Sequence, residues 1–98
     1  MEPLIITEQN IINSICLYVA EKRNVRPEDI KVELYYDDEE EDLFIAEAFV
    51  NEQQVLVSVV EIIKALRMWI DSYEEIDSIA AGIELDFNET EGIFASIR

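Results

Sequence analysis

The sequence predicts an α+β two-layer sandwich, in the order α-β-β-β-α-β-β, with two helices on one face of an antiparallel sheet. Three observations carry that prediction. Two segments repeat apolar residues at helical spacing, and between them three short stretches alternate with period two. A final pair of apolar stretches, "GIELDF" and "GIFASI", flanks the polar residues Asn88 to Glu91 as a last hairpin.

Thr7 stands before the first amphipathic run and suits an N-cap, with Glu8 favourably placed in the first turn. Ile11, Ile12, Ile15, Cys16, Tyr18 and Val19 recur with helical period up to about Arg23. Lys22 and Arg23 suit the negative end of the helix dipole, and Asn24 ends the helix. Pro27 blocks any continuation. "IKVELYY" then sends Ile30, Val32, Leu34 and Tyr36 to one face and Lys31, Glu33 and Tyr35 to the other. "LFIAEAFV" and "QQVLVS" supply the next two strands around Asn51-Glu52, a tight turn in which Glu is ill suited to positive φ. From about Val59 to Tyr73 the period lengthens: Val59, Ile62, Ile63, Leu66, Trp69, Ile70 and Tyr73 share a stripe. "IDSIAAG" reads as a helical turn ending at Gly82.

Composition narrows the function. The 98 residues suit one acidic domain spanning 1–98, and a 50% hydrophobic fraction supports a packed core. Seven basic against 23 acidic residues leave a formal charge of −16. Such a field repels nucleic-acid phosphates and anionic membranes, so neither is an expected partner. A basic protein suits it better. The lone Cys16 has no partner for an internal disulfide, and "MEPLIITEQN" lacks the basic and apolar regions of a signal peptide. No apolar run approaches the ~20 residues that span a bilayer. A cytoplasmic protein is expected, and the Met1 start without a tag predicts a complete gene product.

Strand register follows from the need for paired residues to share a face. Pairing Leu34 with Ala46 and Tyr36 with Phe44 meets that need, and it sets Glu33 opposite Glu47. Across the second hairpin, Ala48 meets Val55 and Ala46 meets Val57. Tyr35, Ile45, Phe49 and Leu56 then lie on the outer face, with Phe94 added from the last hairpin. That is too apolar for a solvated face, and a patch of this kind marks an interface. A symmetric homodimer is the expected occupant, against the alternative that the last hairpin or a terminus covers the face.

The run Asp37, Asp38, Glu39, Glu40, Glu41 and Asp42 reads as a hydrated hairpin tip that discourages edge-to-edge association, with a basic partner as second reading. It lacks the alternating ligands and central glycine of a calcium loop. "DFNETEG" carries Asp86, Asn88 and Thr90, but has Glu91 at the glycine position. Glu33 and Glu47 are the sharpest candidates for a divalent cation or metal-dependent chemistry, since directly opposed carboxylates repel. A DNA-mimic inhibitor is a further alternative, although mimicry wants carboxylates spread along a surface. Catalysis has little to use. There is no histidine, Cys16 sits on an apolar stripe, and neither Gly82 nor Gly92 belongs to a phosphate-cradling motif. No catalytic residue, cofactor or resident metal is expected, and the predicted role is that of a non-catalytic binding module.

Glu8-Gln9, Ile11-Ile12-Asn13, Cys16, Arg26-Pro27-Glu28-Asp29, Val32-Glu33-Leu34, Tyr36-Asp37-Asp38, Ala46-Glu47 and Gly82-Ile83-Glu84-Leu85 together resemble the YxcD-like family of small uncharacterised proteins from Bacillus-type bacteria. The resemblance runs over nearly the whole chain. It implies a cytoplasmic protein of a spore-forming bacterium and no transferable activity. Asn51-Glu52 departs from the Asn-Gly expected of such relatives, which bears on turn geometry.

Overall fold

The computed structural model describes residues 4–36, 44–73 and 81–98. Its order is β1 (Leu4–Ile6), α1 (Glu8–Arg23), a 3-10 turn (Pro27–Asp29), β2 (Ile30–Tyr36), β3 (Phe44–Val50), β4 (Gln53–Val57), α2 (Val59–Tyr73), β5 (Ile83–Asn88) and β6 (Gly92–Ile97). The fold is α+β, as expected. The sheet differs from expectation: among the described residues, six strands form two antiparallel three-stranded sheets, β2-β3-β4 and β1-β6-β5. The added strand β1 is the short "LII" before Thr7, which pairs Leu4 with Ile97 and Ile6 with Ala95. The acidic run Asp37–Asp42 and most of the helical turn expected at 76–82 lie outside the described residues.

Helix α1 starts and stops where its sequence says it should. Thr7 Oγ1 accepts from the Asn10 N–H at 3.4 Å, and Asn24 adopts the left-handed conformation at φ 57° that closes the last turn. Its buried face carries Ile11, Ile15 and Val19. Ser14 is buried too, and satisfies its hydroxyl by donating to the Asn10 carbonyl at 2.7 Å. On α2 the buried residues are Ile62, Ala65, Leu66 and Ile70, whereas Tyr73, expected on the apolar stripe, is 62% exposed. These helical faces join one buried cluster with Ala46, Ala48 and Val50 of β3, Val57 of β4, and Ile93, Ala95 and Ile97 of β6. Both sheets therefore share a core. At their junction Tyr36, at the end of β2, stacks on Phe87 of β5 with ring centroids 4.5 Å apart and planes 8° from parallel.

The parity argument holds at every named pair: Leu34 faces Ala46, Tyr36 faces Phe44, Ala46 faces Val57 and Ala48 faces Val55. The β3–β4 turn is the two-residue kind, with Asn51 at φ 48° and Glu52 at φ 70°. Asn tolerates that region and Glu does not. Glu52→Gly is therefore expected to raise stability by about 0.5–1 kcal/mol, the relief of left-handed strain less the added freedom of glycine when unfolded. An upward shift of the urea midpoint with unchanged slope would record it; a fall would mean that Glu52 makes a compensating contact.

Candidate functional site

The outer side of β2-β3-β4 is built from three cross-strand rows. Lys31, Phe49 and Gln54 form one, Glu33, Glu47 and Leu56 the next, and Tyr35 faces Ile45 in the third. Side chains alternate across a strand, so these residues share the face opposite the core. The sheet thus brings together Tyr35, Ile45, Phe49 and Leu56. Leu56 is 68% exposed and Tyr35 45%, while Ile45 and Phe49 are half-buried. Phe94 is not on this sheet: it belongs to β6, half-buried and opposite Asp86 of β5. Val60, in the first turn of α2, is also 64% exposed. It lines a groove of about 440 Å³ with Phe44, Ile45, Leu56 and Val57. Helical periodicity alone does not bring Val60 beside Leu56, since it does not encode how α2 leaves the end of β4.

Glu33 and Glu47 oppose each other as the register predicts. What lies between them is a side chain of the same chain. The Tyr35 hydroxyl donates to Glu33 Oε2 at 2.5 Å and reaches Glu47 Oε2 at 3.4 Å. Lys31 Nζ stands 3.9 Å from Glu33 Oε1. The donor and the nearby cation ease the carboxylate repulsion. Strand alternation does not reveal this, because it places the Tyr35 ring on a face without saying where the hydroxyl reaches. The hydrogen bond to Glu33 pushes the Tyr35 hydroxyl from its ordinary 10 up to about 12, with burial and the two carboxylate charges acting the same way. The folded value is raised, so this contribution to stability is present in full below about pH 10 and is lost as the pH climbs through about 12. In a spectrophotometric titration of the four tyrosines, one phenol is expected to ionise about two pH units late, and Tyr35→Phe removes that late step. Late ionisation surviving in Tyr35→Phe would place the perturbed phenol elsewhere.

Among the described residues, no three Asp, Glu, Cys or His side chains converge as a metal would require. Cys16 is half-buried, and its Sγ donates to the Pro27 carbonyl at 3.1 Å, tying α1 to the turn before β2. Burial, then the Glu28 charge, push its thiol up, away from the thiolate that a nucleophile needs. Asp86 and Asn88 of the "DFNETEG" stretch bond to their own backbone neighbours: Asp86 Oδ1 accepts from the Phe87 N–H, and Asn88 Oδ1 from the Glu91 N–H. These are turn contacts. Among the described residues, no helix is long and apolar enough to cross a membrane.

The molecule is thus an α+β protein with two antiparallel sheets on a shared core and an apolar outer face on one of them. It belongs to the family described as "Protein of unknown function (DUF2653)", whose model matches residues 1–90. The uncharacterized protein YxcD of Bacillus subtilis (strain 168) is 27% identical over 95 residues, which cover 96% of this chain and 91% of that protein. The YxcD-like resemblance read from the sequence is thereby shown. No solved structure matches the chain.

Proposed function

We propose that this chain is a non-catalytic interaction module of the cytoplasm that acts as a homodimer and engages a basic protein partner. The observation that carries this reading is the solvent-facing apolar set on β2-β3-β4, above all Leu56 at 68% exposure beside Tyr35, Ile45 and Phe49. An isolated exposed leucine needs no explanation, but a cluster on the non-core side of a sheet is what an interface presents. The charge of −16 favours a cationic partner and speeds its approach, an effect that salt screens. The lone, hydrogen-bonded Cys16 fits a reducing compartment.

Light scattering of the intact chain tests the dimer. Wild type is expected at twice the protomer mass. Leu56→Asp is expected as a folded monomer, because a residue this exposed is replaced without opening the core. Phe49, being half-buried, is the poorer site for the same test. A wild-type monomer throughout the accessible concentration range would sink the homodimer. A dimer indifferent to Leu56→Asp would move the contact to another surface.

A further inference from the structure

We propose that two copies of this chain join through the free edges of β4, antiparallel about a two-fold axis, making one six-stranded sheet from the two β2-β3-β4 sheets. The inference rests on the homodimer reading above but places the contact at the edge of the sheet, with Leu56 at the seam and Tyr35, Ile45 and Phe49 left on the continuous outer face for the further partner. Among the described residues, β4 is an outer strand of its sheet. Its backbone on that side is ready to pair. The two-residue turn closes on the hydrogen-bonded pair Val50–Gln53, so by the antiparallel alternation Val55 and Val57 also bond toward β3. Gln54 and Leu56 are left with N–H and C=O groups directed outward.

Edge strands are normally protected by charge, proline, a bulge or shortness. β2 carries Lys31 and Glu33, and β5 carries Glu84 and Asp86; these two also meet at the Tyr36–Phe87 stack. β1 is three residues long. β4 has none of these protections. From Gln53 to Val60 the sequence "QQVLVSVV" contains no charge, in a chain of which 31% is charged.

That neutrality points to a second copy as the occupant. Two chains of charge −16 repel wherever their acidic surfaces approach within about a Debye length, roughly 8–10 Å. The uncharged strip lets them touch without opposing carboxylates on the contacting strands. The pairing is self-complementary as well. Centred on Val55, it sets Gln54 of one copy against Leu56 of the other, so both outward-bonding residues find partners. Like parity pairs with like, and Val55 and Val57 stay on the core side. Antiparallel pairing also sends the Tyr36 and Phe44 ends, which lead into Asp37–Asp42, to opposite ends of the seam. Both copies of Leu56 then flank the axis, beside the groove that Leu56 and Val60 line.

Amide hydrogen exchange, followed residue by residue on the full chain above and below the dissociation concentration, tests the seam. Gln54 and Leu56 amides are expected to exchange at least about tenfold more slowly in the dimer. Leu56→Pro removes one outward N–H that the β3–β4 ladder does not use, and is expected to yield a monomer with unchanged circular dichroism. A dimer in which both amides exchange at the monomer's rate would overturn the seam while leaving the homodimer standing. A chain that is monomeric at every concentration would overturn both.

Discussion

Gly92→Ala is expected to destabilise the protein by about 2.5–5 kcal/mol, lowering the melting temperature by about 4–8 °C for each kcal/mol. Two independent causes converge on this position. Gly92 opens β6 at φ +75°, where an L side chain is strained by about 1–2 kcal/mol. An added Cβ would also lie 2.5 Å from Glu8 Oε2. That oxygen is engaged: from the first turn of α1 it accepts the Ile93 N–H at 2.8 Å, linking residues far apart in the sequence. The Glu8 side chain is flexible enough to swing clear, but only by giving up the bond. Hydrogen bonds to charged groups contribute about 1.5–3 kcal/mol. A double-mutant cycle separates the two causes. In a Glu8→Ala background, Gly92→Ala should cost only the backbone strain. Equal costs in both backgrounds would show that Glu8 is indifferent to the substitution.

Ile15→Ala is expected to cost about 3–4 kcal/mol, and Ile15→Val about 1 kcal/mol. Ile15 has no exposed surface and sits mid-helix in α1, which packs against α2, β2 of one sheet and β6 of the other. A cavity at this point loosens the element against which both sheets are held. Because the two sheets share one buried cluster, the loss should appear as a single cooperative shift of the urea midpoint with unchanged slope. Two separated transitions would instead show that the sheets unfold independently. Against the 5–15 kcal/mol typical of a domain's total stability, the alanine variant is a severe lesion.

Periodicity and face parity made most of the fold legible. Thr7, Asn24 and Pro27 marked the ends of α1, and the change of period at Val59 marked α2. The registers of β2, β3 and β4 followed because a one-residue slip would have put Ala46, Ala48 and Val57 in water. β1 was missed for a physical reason: three residues hold too little alternation to read, and what makes "LII" a strand is β6, at the other end of the sequence. The division into two sheets was equally hidden. Whether β2 bonds to β5 or only meets it through Tyr36 and Phe87 is settled by packing, not by either strand's pattern.

The candidate site was half legible. Parity placed Tyr35, Ile45, Phe49 and Leu56 on one face and opposed Glu33 to Glu47, all of which the register reproduces. Phe94 was grouped with them on the assumption of a single sheet, and the second sheet takes it away. The Tyr35 hydroxyl between the two carboxylates is a matter of side-chain reach, which alternation does not encode.

The pairing of β1 with β6 has a consequence for how the molecule is made. β2, β3 and β4 follow one another in the chain, and each pairs with its neighbour in sequence. β1 precedes the other described strands, yet its partner is the last of them. Without β6, Ile6 lacks its ladder partner Ala95, and Glu8 lacks the Ile93 N–H that it holds. Closing a loop of nearly the whole chain carries an entropic cost that short hairpins avoid. The β2-β3-β4 sheet is therefore expected to form before the β1–β6 ladder, which secures the N-terminal strand last.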